Sequence, residues 1–246
     1  MRVISSSSPL AYRDYRLFWF ARFSAVMATM AMVVVIGWQV YDVARSDYGM
    51  SEKQAAFQLG LVGLAQFVPL FVLTPVAGWV ADRFERRLVA RFANGIDMAV
   101  AITLGWMTMN HGLTLPHLFI MAALHGAARV FVAPSMGAMV ANIVPSEVLP
   151  NAIAMNSMAW QIASVIGPAL GGFLYAASAP LPYWTSAALL ALAAISVSFI
   201  KPIRAASIKG HAHPLSQMLD GLSYTWRDRF LFAALTLDLF AVLLGG

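Results

Sequence analysis

The segment Gly78-Trp79-Val80-Ala81-Asp82-Arg83-Phe84-Glu85-Arg86-Arg87 concentrates charge between two long apolar blocks. The blocks lie at about 56–81 and 88–109, and each reaches the roughly 20 apolar residues that a helix needs to cross the hydrocarbon of a bilayer. Arginines beside such blocks anchor helix ends among lipid headgroups. The stretch therefore predicts a short polar turn that joins two membrane-spanning helices.

The same pattern extends along the whole chain. Of its 246 residues, 60% are hydrophobic and 11% are charged, whereas soluble domains carry roughly 25% charge. Backbone groups in lipid must pair within their own segment, and the blocks lack the alternation of barrel strands, so we predict an all-α integral membrane protein. A seventh block begins near Phe230 and is shorter than a full span. The six complete blocks are 17–41, 56–81, 88–109, 115–140, 152–177 and 183–200.

Lysine and arginine placement predicts the orientation. Basic residues gather before the first block, in the turn between the second and third, and after the sixth, while the opposite loops hold only Arg45 and Lys53. Because cytoplasmic loops carry the excess of Lys and Arg, we predict a multi-pass protein of the cell inner membrane with a cytoplasmic N-terminus. The residues on the basic side are Arg2, Arg13, Arg16, Arg83, Arg86, Arg87, Arg91, Lys201, Arg204, Lys209, Arg227 and Arg229.

These blocks divide the chain into four predicted parts. Residues 1–16 form a cytoplasmic tail, 17–200 a six-helix transmembrane bundle, 201–229 a cytoplasmic linker, and 230–246 the start of a truncated seventh transmembrane helix. Within the linker, apolar side chains from Leu215 to Trp226 recur at helical spacing, which predicts an amphipathic helix on the membrane surface.

The charged turn contains two residues that a positive-inside topology signal does not require. Gly78 would let another helix approach closely, and Asp82 lies where the second span meets water. A plain positive-inside signal explains the arginines but neither of these two residues. The segment resembles the signature loop of the major facilitator superfamily, Gly-x-x-x-Asp-Arg-x-Gly-Arg-Arg, in which the loop is a conformational latch between two halves. The matching positions are Gly78, Asp82, Arg83, Arg86 and Arg87. Glu85 departs from the usual glycine, as in the enterobactin-exporter-like and drug-efflux branch.

A second motif lies in the fifth block. It resembles the antiporter motif of the same family, Gly-x-x-x-Gly-Pro-x-x-Gly-Gly, and matches at Gly167, Pro168, Gly171 and Gly172, with Ala163 replacing the first glycine. In that family the motif marks exporters and proton antiporters. Generic packing of small residues against another helix is the alternative, since Gly167 and Gly171 share one face.

The resemblance implies a specific architecture and function. The family has about twelve helices in two six-helix halves, so this chain resembles an N-terminal half with a three-plus-three inverted repeat. Its partner would be the missing C-terminal half or a second copy. The implied function is secondary active transport: proton-driven efflux of a small amphipathic molecule, a siderophore or a drug, by alternating access. The alternative is a truncated, non-transporting six-helix remnant or an assembly partner.

Several classes of protein are disfavoured by what the sequence contains. The basic residues lie between apolar blocks and not on one patch, which argues against nucleic-acid binding. We expect no metal, because the chain has no cysteine and because His211 and His213 lack a third ligand. We expect no cofactor, because there is no phosphate-binding glycine loop. No catalytic constellation indicates an enzyme. The expected partners are a small-molecule substrate, protons and the lipid bilayer.

Four ionisable residues are candidates for lining a cavity or for proton coupling. A charge inside the membrane costs roughly 2.5–3.5 kcal/mol on insertion scales, so each such residue indicates function. Asp97 and Arg129 fall at similar depths, and we hypothesise that they pair or that Arg129 faces the transport cavity. A structural ion pair between the third and fourth spans is the alternative. His125 lies one turn before Arg129, and packing or hydrogen bonding is its alternative role. Asp238 joins them if the seventh block inserts.

Overall fold

The computed structural model describes residues 8–202, 228, 230–234, 236–237 and 240. Within these residues the chain is helical and contains no β-strand. Six helices are long and apolar enough to cross a membrane. A short 3-10 turn at Pro9–Ala11 precedes them. The helices are α1 (Arg13–Ser46), α2 (Glu52–Arg83), α3 (Arg86–Met109), α4 (Leu115–Ile143), α5 (Leu149–Ala177) and α6 (Leu181–Ser198).

Each of the six predicted blocks coincides with one helix, although the ends differ. Helix α1 begins at Arg13, inside the stretch predicted as a tail, and its 34 residues give a length of about 51 Å. The hydrocarbon is only about 30 Å thick, so the polar ends of this helix extend beyond the apolar part that hydropathy detects. Helix α6 ends at Ser198, two residues before the predicted block ends at 200.

Local signals in the sequence explain several helix starts. At α2, the Ser51 hydroxyl accepts a hydrogen bond from the Gln54 amide at 3.4 Å, and the Gln54 side chain accepts one from the Ser51 amide at 2.9 Å. This reciprocal capping satisfies two amides that have no partner within the helix. Helices α4, α5 and α6 each carry proline in their first turn, where the missing amide proton costs nothing.

The pairing of the helices follows the inverted repeat. Helix α1 is the most enclosed and packs against α2, α4, α5 and α6. The most extensive contacts join α1 to α5, α2 to α4 and α3 to α6. Exchanging the first three helices for the last three turns the α1–α5 pair into α4–α2 and leaves the α3–α6 pair unchanged. A bundle built from two related three-helix units has this property.

The outer faces of the bundle are apolar. Phe71 of α2, Phe92 of α3, and Val165 and Phe173 of α5 are each more than 60% exposed: 67%, 73%, 73% and 76%. A soluble protein rarely exposes so much contiguous apolar surface, whereas lipid accepts it at no cost.

The C-terminal part is described only at a few positions. Residues 230–234 are helical, and the Asp228 carboxylate accepts hydrogen bonds from the Phe230 and Leu231 amides at 2.9 and 3.2 Å. An aspartate in this position is a favourable N-cap. The predicted amphipathic helix of the linker and the candidate Asp238 lie outside the described residues.

Candidate functional site

The centre of the bundle holds a buried pair of ionisable side chains. Asp97 of α3 is 3% exposed and His125 of α4 is fully buried, and the histidine Nδ1 lies 2.5 Å from the Asp97 Oδ1. The Thr29 hydroxyl of α1 lies 3.5 Å from the other carboxylate oxygen. The Asp97 carboxylate of α3 therefore contacts a polar side chain of α4 and lies close to one of α1.

The free nitrogen of His125 determines what the pair can do. So short a contact needs a proton between the two atoms. When the carboxylate is ionised and the imidazole is neutral, Nδ1–H donates to Asp97 and Nε2 carries the lone pair. That Nε2 atom is buried and has no hydrogen-bond partner among the described residues. Adding a proton there converts a pair with net charge −1 into a neutral imidazolium–carboxylate pair.

Arg129 lies near this pair without joining it. It follows His125 by one turn of α4 and is partly buried, and it makes no hydrogen bond or salt bridge within the described part of the chain. The hypothesised direct Asp97–Arg129 contact is not found among the described residues: Asp97 contacts His125, and Arg129 interacts with Asp97 through longer-range electrostatics. Residues 125 and 129 share one face of α4 but lie about 6 Å apart along its axis, so the axial position of α4 against α3 decides which of them meets the carboxylate.

A second polar network lies towards the C-terminal ends of α1 and α3 and the N-terminal end of α6. Tyr183 of α6 donates to the Gln39 side-chain oxygen at 2.5 Å, and the Gln39 amide donates to the Thr108 hydroxyl of α3 at 3.0 Å. Gln39 is 4% exposed and Tyr183 is fully buried. Each residue is ordinary in a membrane helix, so no sequence signal identifies the network before the helices are assembled.

We expect Tyr183→Phe to destabilise the bundle by about 1–3 kcal/mol, because the buried Gln39 oxygen would lose its donor. Thermal unfolding of the purified protein in detergent measures this. Tyr175→Phe is the matched control: its hydroxyl donates to Asp42 at 3.3 Å, and Asp42 is exposed. Water can replace that bond, so the control should change stability by less than ~0.5 kcal/mol. Equal shifts for the two variants would contradict this assignment.

The glycines of the antiporter-like motif differ in how closely another helix approaches them. A side-chain carbon at Gly167 would lie 2.6 Å from the Met27 carbonyl oxygen, and one at Gly171 would lie 3.1 Å from the Ala31 Cα. Both glycines are buried where α5 crosses α1. Gly172, by contrast, is exposed, with no described atom within 4 Å of such a carbon, and Pro168 is half-buried within α5. Close packing thus accounts for Gly167 and Gly171 but not for Gly172.

Two arginines of the predicted latch loop connect the start of α3 to other parts of the bundle by hydrogen bonds. Arg86 donates to the Ala138 carbonyl of α4 at 2.9 Å, and Arg87 donates to the Ile200 carbonyl after α6 at 2.5 Å. Glu85, the departure from the family pattern, lies 2.9 Å from the Arg87 Nε. The Arg83 guanidinium lies over the Trp79 ring at 4.7 Å, and Asp82 is exposed.

The expected close approach at Gly78 is not found among the described residues, since none lies within 4 Å of a side-chain carbon there. The face of α2 that packs inward at this level presents Ala77 and Ala81 instead, which are 1% and 4% exposed. The close crossing of α2 occurs elsewhere: a side-chain carbon at Gly126 of α4 would overlap the Gln66 backbone carbonyl. Sequence reasoning missed Gly126, whose only signal is the run of small residues that follows it.

Residues 18–246 match the profile described as Major Facilitator Superfamily. The chain belongs to this superfamily. This member is similar to "Multidrug resistance protein 1" of Bacillus subtilis (strain 168), with 31% identity over 124 residues, which cover 50% of this chain and 31% of that protein. It is also similar to "Putative multidrug resistance protein MdtD" of Yersinia pestis (strain Pestoides F), with 28% identity over 156 residues, covering 63% of this chain and 31% of that protein.

A solved structure shares the fold of this superfamily member. The crystal structure of a D-xylose-proton symporter superposes with a TM-score of 0.64 over 95% of this chain and 57% of that one, at 14% identity. At this identity the likeness concerns the fold alone. The matched segments span about a third of the curated relatives and just over half of the symporter. The protein is thus a multi-pass membrane protein with the fold of a superfamily half-bundle.

Proposed function

We propose that this chain acts in secondary active transport, as the half-bundle of an exporter that moves small amphipathic molecules against their gradient by exchange for protons. The buried Asp97–His125 pair carries this proposal, because it offers a proton-binding position within the membrane-spanning part of the bundle, where ionisable side chains are costly. The names of the two multidrug resistance relatives support drug-like substrates, and the resemblance of the loop around Glu85 adds siderophores to that class.

The proposed mechanism assigns a role to each motif. Protonation at His125 Nε2 removes the net charge of the pair and shifts the balance between the conformations of alternating access. Arg129, one turn away, makes no hydrogen bond or salt bridge within the described part of the chain but interacts electrostatically with Asp97, and it is the proposed neighbour that responds to this change. The charged loop from Asp82 to Arg87 is the proposed latch. A second six-helix half, covalent or from a second copy, would complete the cavity, with the N-terminus facing the cytoplasm of an inner membrane.

We expect this chain to confer efflux that an uncoupler stops. The assay expresses it in a bacterial strain deprived of its own exporters and measures retention of a catecholate siderophore and of several lipophilic drugs, with and without a protonophore. Lower retention that the protonophore reverses is the expected result. Retention equal to that of the empty vector for every compound would overturn active transport by this chain.

A further inference from the structure

Helix α3 presents an exposed apolar ridge with a groove on either side. Leu88, Phe92 and Ile96 form this ridge, one turn apart, and line both grooves. The α3–α6 groove has a volume of about 790 Å³, with Gly95 and Ala99 among its lining residues. The α2–α4 groove, of about 450 Å³, is lined by Val80, Phe84 and Phe131 among other apolar residues.

The α3–α6 groove ends at a basic cluster. Arg91 lines the groove, is exposed, and makes no hydrogen bond or salt bridge to any residue that the structure describes. Arg87 lies one turn before it, and its bond to the Ile200 carbonyl brings it beside Lys201, which is exposed. Glu85 is already paired with Arg87, so it leaves the positive charge of Arg91 and Lys201 uncompensated.

We propose that this face is a binding site for an anionic diacyl glycerophospholipid. Its two acyl chains lie in the two grooves on either side of the α3 ridge, and its phosphate contacts Arg91. The apolar lining suits hydrocarbon, and a guanidinium recognises a phosphate through charge-assisted hydrogen bonds. The inference does not depend on transport, because it concerns only the outer face of α3, α6 and their neighbours.

The combination of features distinguishes a lipid from a soluble phosphate. A free phosphate needs only the basic cluster, whereas a lipid needs both the cluster and the grooves. Gly95 offers a way to separate them, since a side-chain carbon there would meet no described atom within 4 Å. Gly95→Leu therefore places a bulky side chain in the α3–α6 groove from a position with open space around its Cβ, and it leaves every arginine in place.

The experiment measures lipid retention by native mass spectrometry after the purified 246-residue chain is exchanged from detergent micelles that contain equal phosphatidylglycerol and phosphatidylcholine. We expect the wild type to retain phosphatidylglycerol preferentially. Arg91→Gln should reduce that retention about fivefold, the effect of one basic residue at an anionic surface, and Gly95→Leu should reduce it at least as much. The matched controls are Arg13→Gln, an exposed arginine at the start of α1, and Gly60→Leu, which also has open space around it.

Two further measurements make the outcome decisive. Phosphatidylglycerol should raise the unfolding temperature of the wild type and of both controls, whereas inorganic phosphate should not. The proposal is overturned if both lipids are retained equally, if the two controls lose retention as much as Arg91→Gln and Gly95→Leu, or if inorganic phosphate stabilises the chain as phosphatidylglycerol does. Because none of these readouts measures efflux, they stand or fall separately from the proposed transport activity.

Discussion

Asp97→Asn is expected to abolish uncoupler-sensitive efflux while leaving a folded bundle. The amide keeps the size of the carboxylate and still contacts His125 and Thr29, but it no longer balances an imidazolium. Protonating His125 would then place an unpaired charge in a fully buried site, which a low-dielectric interior opposes strongly. Efflux against a gradient should fall to the level of the empty vector, and this result rests on the proposed function.

A second assay separates proton coupling from a structural role. Exchange of labelled for unlabelled substrate across proteoliposomes requires the conformational cycle but no net proton movement. We expect Asp97→Asn to retain exchange while it loses uphill efflux. If it loses both or keeps both, Asp97 is not the coupling residue. A double variant, Asp97→Asn with His125→Gln, should also remain uncoupled. Restored uphill efflux in the double variant would assign the pair a purely structural role.

Gly126→Ala is expected to cause the largest loss of stability of any single methyl addition in the bundle. The new carbon would overlap the Gln66 carbonyl, and a backbone atom of α2 cannot move aside as a flexible side chain can. Overpacking of this kind costs about 1–3 kcal/mol or more, and roughly 2–4 °C of unfolding temperature follows from each kcal/mol in a chain of this size. Thermal unfolding followed by intrinsic tryptophan fluorescence measures the shift.

The same helix provides the matched control. Gly137 of α4 is exposed, and no described atom lies within 4 Å of a side-chain carbon there. Gly137→Ala should therefore be neutral or stabilising by up to ~1 kcal/mol, because alanine is the better helix former. Gly167→Ala and Gly172→Ala repeat the contrast within α5, with the first expected to destabilise and the second not. Equal unfolding temperatures for Gly126→Ala and Gly137→Ala would refute the close crossing.

The candidate site shows what a sequence pattern can and cannot specify. Asp97, His125 and Arg129 were recognisable because an ionisable side chain in an apolar block is expensive. Their partners were not. Thr29, which lies close to Asp97 from α1, has no distinguishing feature in the sequence. The choice of His125 over Arg129 as the partner of Asp97 depends on the axial position of α4 against α3, because the two residues share one face of α4.

The two family motifs were likewise recognisable in the sequence, but their packing partners were not. The charged loop and the glycine-rich stretch of α5 were evident from residue spacing. Of the glycines expected to allow close packing, however, Gly167 and Gly171 do so, whereas Gly78 has open space around it and the unpredicted Gly126 makes the tightest crossing. A glycine permits close approach in any sequence, but the neighbouring helix decides where that approach occurs.

The amino-acid sequence by itself determined the class of protein, the six spans and their approximate limits. These properties follow from local composition, because a lipid-facing segment must be apolar over about 20 residues and must pair its own backbone groups. Only the tertiary structure decided that Asp97 meets His125, that Tyr183, Gln39 and Thr108 join three helices, and that Arg91 borders an apolar groove. Such contacts depend on the rotation and crossing of whole helices, and residues far apart in the chain set that geometry together.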